Sequence, residues 1–213
     1  MAMKILAVAD LHGTQYRMNL VLENIRKYSP DVVVLAGDIT NFGPSEMATT
    51  LLGQIRHVPT LVVRGNCDPT NIKEAVEKAD AHFIEQKRYL HQKIPFVGVG
   101  GGKIRPFQTK VDQAATTTFY DLIDSATVLV SHVPPYGYQD RVFIGMHGGS
   151  KELRELIDQK QPQLVLCGHI HEDAGITKTE HTTIVNCSIG KRGSGALINI
   201  NKDKSVLASM LKD

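Results

Sequence analysis

The sequence predicts an α/β fold, in which buried strands alternate with amphipathic helices before a more antiparallel end. Six short apolar runs have the pattern of strands that are covered on both faces: Ile5–Ala9, Val32–Ala36, Leu61–Val63, Phe96–Val99, Val128–Val130 and Leu164–Cys167. A chain of 213 residues, of which 42% are hydrophobic, is long and apolar enough to bury one core. We therefore expect one α/β domain over residues 1-213, with a βαβ first half.

The helices are predicted from apolar residues that recur on one helical face. Met18, Val21, Leu22 and Ile25 define the first helix, which ends before Pro30. The other predicted helices are Glu46–Ile55, Asn71–Lys78, Asp112–Ile123 and Lys151–Gln159, the last with Ser150 as its N-cap. After His171 the pattern changes to strands and turns, which predicts Ile176–Lys178, Thr183–Asn186, Ala196–Ile200 and Val206–Met210, with a closing hairpin between the last two.

Composition and charge exclude several classes of protein. The formal net charge of +2 is too small an excess to predict a polymeric nucleic acid or a membrane surface as a partner. The first residues run into a strand pattern without the apolar segment of a signal peptide, and no apolar run approaches the roughly 20 residues that a membrane span needs. Cys67, Cys167 and Cys187 are widely spaced, which predicts neither a disulfide framework nor a zinc knuckle. We therefore expect a cytoplasmic protein.

Polar side chains follow five of the predicted strands, at the point where each strand ends. These segments are Asp10-Leu11-His12, Gly37-Asp38, Gly65-Asn66-Cys67-Asp68, Ser131-His132 and Gly168-His169-Ile170-His171. In open α/β sheets, ligands bind outside the carboxyl ends of the strands, so we expect these side chains at one edge. Carboxylate oxygens and neutral imidazole nitrogens suit manganese, iron or zinc better than magnesium or calcium.

The spacing within these segments is compatible with one metal site. Asp10-x-His12 and His169-x-His171 each place two side chains on the same side of an extended segment. Asp38 has the two oxygens that a bridge between two ions requires. The glycines at positions 37, 65 and 168 permit tight turns that direct the next side chain into the site.

The ordered set of motifs resembles the calcineurin-like metallophosphoesterases. The resemblance covers residues 4 to 171 and rests on Asp10-x-His12, Gly37-Asp38, Gly65-Asn66-x-Asp68, His132 and Gly168-His169-x-His171. One such block would carry no weight, whereas five in order, each after a predicted strand, are highly specific. Two further segments are similar to sequences of the small bacterial and archaeal branch of that family: Ser131-His132-Val133-Pro134-Pro135, and Gly148-Gly149-Ser150 before Leu153-Arg154. The resemblance implies a four-layer α/β/β/α sandwich with mixed sheets and a metal site at the carboxyl ends of the strands.

The resemblance also implies a dinuclear centre of two divalent ions, with manganese preferred over iron, zinc or nickel. The first ion would be held by Asp10, His12, Asp38 and His171. The second ion would be held by Asp38, Asn66, His132 and His169, so that Asp38 bridges the two. The implied reaction is hydrolysis of a small phosphodiester or phosphomonoester by a metal-bridging hydroxide. The implied catalytic residues are Asn66, Asp68 and His132.

One position departs from the commoner family pattern, because Gly-Asn-Cys-Asp replaces Gly-Asn-His-Asp. In many members that histidine, paired with the following aspartate, protonates the leaving oxygen. A thiol with a pKa near about 8.5 is a weak donor, so general-acid help worth roughly 10²–10⁴-fold is expected to be missing. This predicts a preference for good leaving groups or diesters. The alternative is that Cys67 is a small buried filler, and the role of Asp68 is open.

Other candidate residues have a plain structural alternative. His147 lies in a glycine-rich loop and is either a substrate contact or an ordinary loop residue. The helix start at Gly148-Gly149-Ser150 either binds an anion or is only a cap. Lys103 and Arg105 either steer a phosphate or lie in a solvated turn, and Gly100-Gly101-Gly102-Lys103 lacks the full Walker spacing. Four further histidines are expected at surface or packing positions: His57, His82, His91 and His181.

Two other functions compete with hydrolysis of small phosphoesters. A non-catalytic scaffold is an alternative because the retromer complex includes a subunit of this fold, but such a protein should have lost ligands, and all seven implied ligand residues are present here. A nuclease resembling the recombination-repair members would need an added DNA-binding domain and a basic patch, and the chain shows neither. The sequence leaves open the physiological substrate and the oligomeric state.

Overall fold

The computed structural model describes residues 2–101, 119–190 and 193–212. The helices are α1 (Gln15–Tyr28), α2 (Ser45–Leu52), α3 (Ile72–Lys78) and α4 (Lys151–Lys160). The strands of the first half are β1 (Met3–Val8), β2 (Val32–Ala36), β3 (Thr60–Val63), β4 (His82–Phe83), β5 (Arg88–His91) and β6 (Ile94–Val99). The later strands are β7 (Val128–Ser131), β8 (Leu164–Cys167), β9 (Gly175–Lys178), β10 (Thr183–Asn186), β11 (Gly193–Ile200) and β12 (Val206–Lys212).

The strands form two six-stranded mixed sheets. The first sheet has the order β12-β11-β1-β2-β3-β4, in which β1 to β4 are parallel and β11 is antiparallel to both of its neighbours. The second sheet has the order β5-β6-β7-β8-β10-β9, in which the four central strands are parallel and both edge strands are antiparallel to them. Each sheet therefore has parallel strands whose carboxyl ends meet at one edge.

The alternation of side chains along the strands produces the four layers. In β1, Ile5 and Ala7 are buried in the core between the two sheets, whereas Leu6 and Val8 are buried against α1 to α3. In the second sheet, Val165 packs in a third core with the apolar face of α4. These three cores confirm the predicted α/β/β/α sandwich with mixed sheets.

The boundaries of some elements differ from the predictions. The strand predicted as Ile5–Ala9 begins at Met3 and ends at Val8, and the helix predicted as Glu46–Ile55 ends at Leu52, before Gly53. Strands β4 and β5 were not predicted, because β4 has two residues and β5 is a half-exposed edge strand without a buried run. Of the predicted helix Asp112–Ile123, residues 112–118 lie outside the described residues. The closing hairpin is confirmed by the pairing of β11 with β12.

Candidate metal centre

The predicted ligands meet where the two sheets face each other at the carboxyl ends of their parallel strands. Asp10 and Asp38 follow β1 and β2 in the first sheet, while His132 and His169 follow β7 and β8 in the second. Hydrogen bonds join the two sets of loops, since the backbone N–H of His169 donates to Asp10 Oδ2 at 3.1 Å. Residues from two sheets are thereby placed around one site.

Asp10, His12 and His171 form the first group of candidate ligands. One ligand atom from each of these side chains lies within 4.8 Å of the others. Asp10 is fully buried, and its Oδ1 lies 3.5 Å from His171 Nε2. The Nε2 atoms of His12 and His171 are 3.2 Å apart. All three side chains therefore point at one volume.

Asp38 lies between this group and the second sheet. Its Oδ2 is 3.9 Å from His12 Nε2 and 3.5 Å from His132 Nε2. Its Oδ1 accepts a hydrogen bond of 2.7 Å from the backbone N–H of Cys67, which holds the carboxylate in place. Asp10, Asp38 and His132 accordingly form a second three-residue group with ligand atoms within 4.8 Å.

His132 is held by a backbone carbonyl and faces an amide. Its Nδ1 is 2.8 Å from Ala36 O, and since a carbonyl only accepts, Nδ1 carries the proton. This leaves Nε2 to face Asn66 Oδ1 at 2.9 Å. The ring of His169 packs edge-on against the ring of His132, with centroids 5.0 Å apart. His169 is near the cluster but belongs to none of the three-residue groups among the described residues.

The electrostatics of the cluster favour an ionised Asp10 and neutral imidazoles at His12 and His169, whereas they shift His171 towards its protonated form. Burial raises the pKa of Asp10, but the hydrogen bond from His171 and the charge of His132 outweigh it and hold this pKa well below its usual range. Burial lowers the pKa of His169 to about 4 and also lowers that of His12. The hydrogen bond to Asp10 raises the pKa of His171. His12 and His169 thus keep the lone pairs that metal ligation requires.

Cys67 points into the cluster rather than into the core. The Sγ atom, one ligand atom of His12 and one of Asp38 all lie within 4.8 Å of one another. The same Sγ accepts a hydrogen bond of 3.1 Å from Asn66 Nδ2. Burial and the neighbouring carboxylate of Asp38 raise the pKa of this thiol far above its usual range. Cys67 is buried, as the filler interpretation expects, and its Sγ also faces the cluster, where its protonated thiol is a poor donor.

Asp68 ties two ligand loops together. Its Oδ1 accepts hydrogen bonds from the backbone N–H and hydroxyl of Thr40, at 2.8 and 3.1 Å. Its Oδ2 accepts one of 2.9 Å from the backbone N–H of Gly65. Burial raises the pKa of Asp68, and the Thr40 hydrogen bond opposes that shift. With both oxygens occupied, Asp68 positions the loops that carry Asp38 and Asn66.

Four of the candidate ligands have a left-handed backbone, which is uncommon for residues other than glycine. Their φ angles are 67° for Asp10, 47° for His12, 52° for Asp38 and 69° for His169. Such conformations cost on the order of 1–3 kcal/mol each and cluster at functional sites. Gly37 has a positive φ, which explains why a glycine stands there. At the other two glycines a side chain would not fit, because a Cβ at Gly65 would overlap Asp38 Oδ1 and a Cβ at Gly168 would overlap Ala9. The glycines at 65 and 168 therefore serve close approach rather than a turn.

Sequence patterns gave no signal for several residues that support the cluster. Arg17 in α1 donates to the carbonyl oxygens of Asp10 and Gly190, at 2.7 and 2.9 Å. His147, which the sequence left open, has its Nδ1 2.7 Å from Oδ1 of the buried Asp140. Lys103 and Arg105 lie outside the described residues. The contact between Arg17 and Gly190 joins residues that are distant in the chain, so no local motif encodes it.

The residues present fit divalent cations. Two pairs of atoms with lone pairs face each other in the cluster: Nε2 of His12 with Nε2 of His171, and Nε2 of His132 with the amide oxygen of Asn66. A cation between such atoms would stabilise their close approach. Within the part of the chain that is described, the buried Nδ1 of His12 has no hydrogen-bond partner. Mixed carboxylate and imidazole donors are typical of sites for manganese, iron or zinc.

Comparison with known proteins agrees with this geometry. Residues 3–173 match the family model for calcineurin-like phosphoesterases. An uncharacterised protein of Methanocaldococcus jannaschii is 33% identical over 199 residues, covering 87% of this chain and 88% of that protein. A probable cyclic nucleotide phosphodiesterase of Synechococcus is 26% identical and covers 88% of this chain and 80% of its own length. The crystal structure of TT1561 from Thermus thermophilus matches with a TM-score of 0.71 at 16% identity, over 99% of both chains.

The four-layer fold and its cluster of carboxylates and imidazoles define a metal-dependent phosphoesterase. The chain belongs to the calcineurin-like phosphoesterase family, as its motifs predicted. This family uses divalent metals, and its members act on phosphoesters. In the described residues, no helix is long and apolar enough to cross a membrane.

Proposed function

We propose that this chain is a dinuclear metal-dependent phosphoesterase that hydrolyses small phosphodiesters in preference to phosphomonoesters. The observation that supports it most directly is the position of Asp38, whose Oδ2 lies within 4 Å of imidazoles from both sheets. Two donor sets meet at this carboxylate. The proposed first set is Asp10, His12, Asp38 and His171, and the proposed second set is Asp38, Asn66, His132 and His169.

The chain's own residues would hold and orient the reacting groups. Two divalent ions, with manganese preferred over iron, zinc or nickel, would lower the pKa of a water molecule so that it can act as the nucleophile, and they would offset negative charge on the phosphoryl oxygens. The Ala36 carbonyl fixes the His132 ring through Nδ1, which keeps Nε2 directed into the site. Asn66 offers its amide oxygen beside that ring. Arg17 holds the Asp10 carbonyl and so fixes the loop that carries the first carboxylate.

The expected preference for good leaving groups rests on Cys67. This thiol occupies the cluster but is held protonated by its burial and by Asp38, so it gives little help to a poor leaving group. Esters with a stable leaving group are favoured under these conditions. The proposed preference for diesters is supported by the name of the Synechococcus relative, a probable cyclic nucleotide phosphodiesterase.

Elemental analysis combined with a manganese-supplemented assay tests the proposal. We expect two ions per chain and a higher kcat/KM for bis-p-nitrophenyl phosphate than for p-nitrophenyl phosphate, which share a leaving group. Preference for the monoester would overturn the diester assignment. Bound metal without turnover of any phosphoester would favour the scaffold function, and cleavage of single-stranded DNA would favour the nuclease.

Two further expectations are kept as proposals. One domain over residues 1-213 is supported by β9 to β12, which lie beyond the family match and complete both sheets. A cytoplasmic location is supported by the free state of Cys67, Cys167 and Cys187.

A further inference from the structure

A cleft with one aromatic wall opens beside the metal-ligand cluster. It is lined by His12, Thr14, Tyr16, Arg17 and Asn41. His12 is a candidate ligand, so one end of the cleft is continuous with the site. The Tyr16 ring is 65% exposed at the start of α1, where it faces solvent rather than the core.

The loops after β1 and β2 run side by side along this cleft. The backbone N–H of His12 donates to Asp38 O at 2.9 Å, and that of Gly13 donates to Ile39 O at 2.8 Å. Tyr16 lies in the first turn of α1, directly after the first of these loops, and it lines the cleft. Phe42 lies in the second loop and directly follows the cleft residue Asn41.

Phe42 combines two unfavourable features. Its φ of 56° is a rare conformation for a bulky residue, and its side chain is 64% exposed although it is large and apolar. Its backbone N–H donates to Cys67 O at 2.9 Å, which fixes the residue next to the segment whose thiol enters the cluster. Neither burial nor backbone preference favours this placement, and strained conformations of this kind cluster at functional sites.

We infer that Phe42 and Tyr16 bind a planar ring on the ester group that stays attached to phosphorus, such as a nucleobase or an aryl group. The inference rests on the proposed function, because the phosphoryl group at the ligand cluster sets where that ring lies. Aromatic side chains stack on planar rings, and stacking of a base on one of them contributes measurably to affinity. Thr14 and Asn41 line the same cleft and offer hydrogen bonds to the edge of a heteroaromatic ring.

Three p-nitrophenyl esters with the same leaving group test the inference. They differ only in the retained group: thymidine, phenyl or ethyl. In the Phe42→Ala and Phe42→Leu variants, we expect the ratio of kcat/KM for the thymidine ester to that for the ethyl ester to fall about tenfold, and Phe42→Tyr should restore it. A ratio that stays within twofold of the wild-type value would overturn the inference. A parallel fall for the phenyl ester identifies ring stacking as sufficient, whereas a fall for the thymidine ester alone identifies a nucleobase.

Leu90 provides the matched control. It is also 64% exposed, but it lies on β5 opposite Pro95, near the start of β6 and away from the carboxyl ends. Leu90→Ala should leave all three rates and their ratios unchanged. A fall in the ratio for this variant equal to that for Phe42→Ala would show that any lost apolar surface has this effect, and the inference would fail.

A binding measurement separates this inference from the proposed function. The chain contains no tryptophan, so Phe42→Trp introduces a single fluorescent reporter at the rim. Thymidine 5′-monophosphate should quench it, while the same titration should leave Leu90→Trp unchanged. Quenching without turnover of any ester would sustain the ring site and overturn the proposed hydrolysis. Unquenched fluorescence in Phe42→Trp, or equal quenching in both variants, would overturn the ring site.

Discussion

The two sheets contribute different chemistry to the same cluster. Among the residues that the structure describes, the loops of the first sheet supply every carboxylate of the candidate ligand groups, with Asp10 after β1 and Asp38 after β2. The loops after β7 and β8 in the second sheet supply only imidazoles, from His132, His169 and His171. The first sheet therefore provides the negative charge that attracts cations, and the second provides neutral donors that complete their coordination.

The backbone reflects the same division. The carboxylate loops are held by hydrogen bonds to charged or buried groups, such as Arg17 on the Asp10 carbonyl and Asp68 on Thr40 and Gly65. His171 is only half-buried in a short 3-10 turn. We therefore expect changes at Asp10 or Asp38 to be harder to rescue than changes at the half-buried His171.

The largest effect is expected for the shared carboxylate. Asp38→Asn should abolish turnover, a larger loss than the roughly 10–100-fold that removal of an outer-shell partner costs. The folded state should persist, because the retained Oδ1 still accepts from Cys67 N–H. Steady-state kinetics and thermal unfolding measure both quantities. Asp158→Asn, at an exposed ion pair with Arg154, is the control, and retained activity in Asp38→Asn would end the bridging role.

A second-sheet ligand should give a smaller and reversible loss. His171→Asn removes one donor from the group that contains Asp10 and His12, so metal affinity should fall by more than the roughly 10–100-fold that loss of an outer-shell partner costs. Excess manganese should restore most of the turnover, whereas it should not rescue Asp38→Asn. The exposed His181 provides the control substitution, His181→Asn. Equal rescue of the Asp38 and His171 variants would contradict the proposed difference between the sheets.

Cys67→His should raise turnover of esters with poor leaving groups, by roughly tenfold or more, because an imidazole at this position is a better acid than the buried thiol. The measurement is the slope of log kcat/KM against the leaving-group pKa, which should become shallower. Cys67→Ser, which keeps the size and adds no acid, serves as the control. An unchanged slope would mean that the missing proton donor does not limit the reaction.

The smallest effect concerns the tie between the two carboxylate loops. Asp68→Asn places an amide N–H₂ opposite the backbone N–H of Gly65 or of Thr40, so it should destabilise the fold by about 1–3 kcal/mol. Urea unfolding measures this change, with kcat expected to fall only modestly. A large loss of kcat at unchanged stability would instead assign Asp68 to the chemistry.

The sequence by itself determined most of the element types and the residues available as ligands, while the resemblance of its motifs to a known family implied the layer architecture. Buried strands have local apolar signatures, and a polar motif directly after each strand places its side chains at the carboxyl edge. Strands β4 and β5 escaped prediction because short or half-exposed edge strands lack that signature.

Only the tertiary structure decided which of these side chains face one another. Three contacts depend on loops that are distant in the chain: Cys67 faces the cluster, Asp68 accepts hydrogen bonds from two loops, and the carbonyl of Ala36 binds His132 Nδ1. The exposed ring of Phe42 beside the cleft is a further example. A local motif specifies donor chemistry, but distances between donors are set by how two sheets pack, and packing is a long-range property of the whole chain.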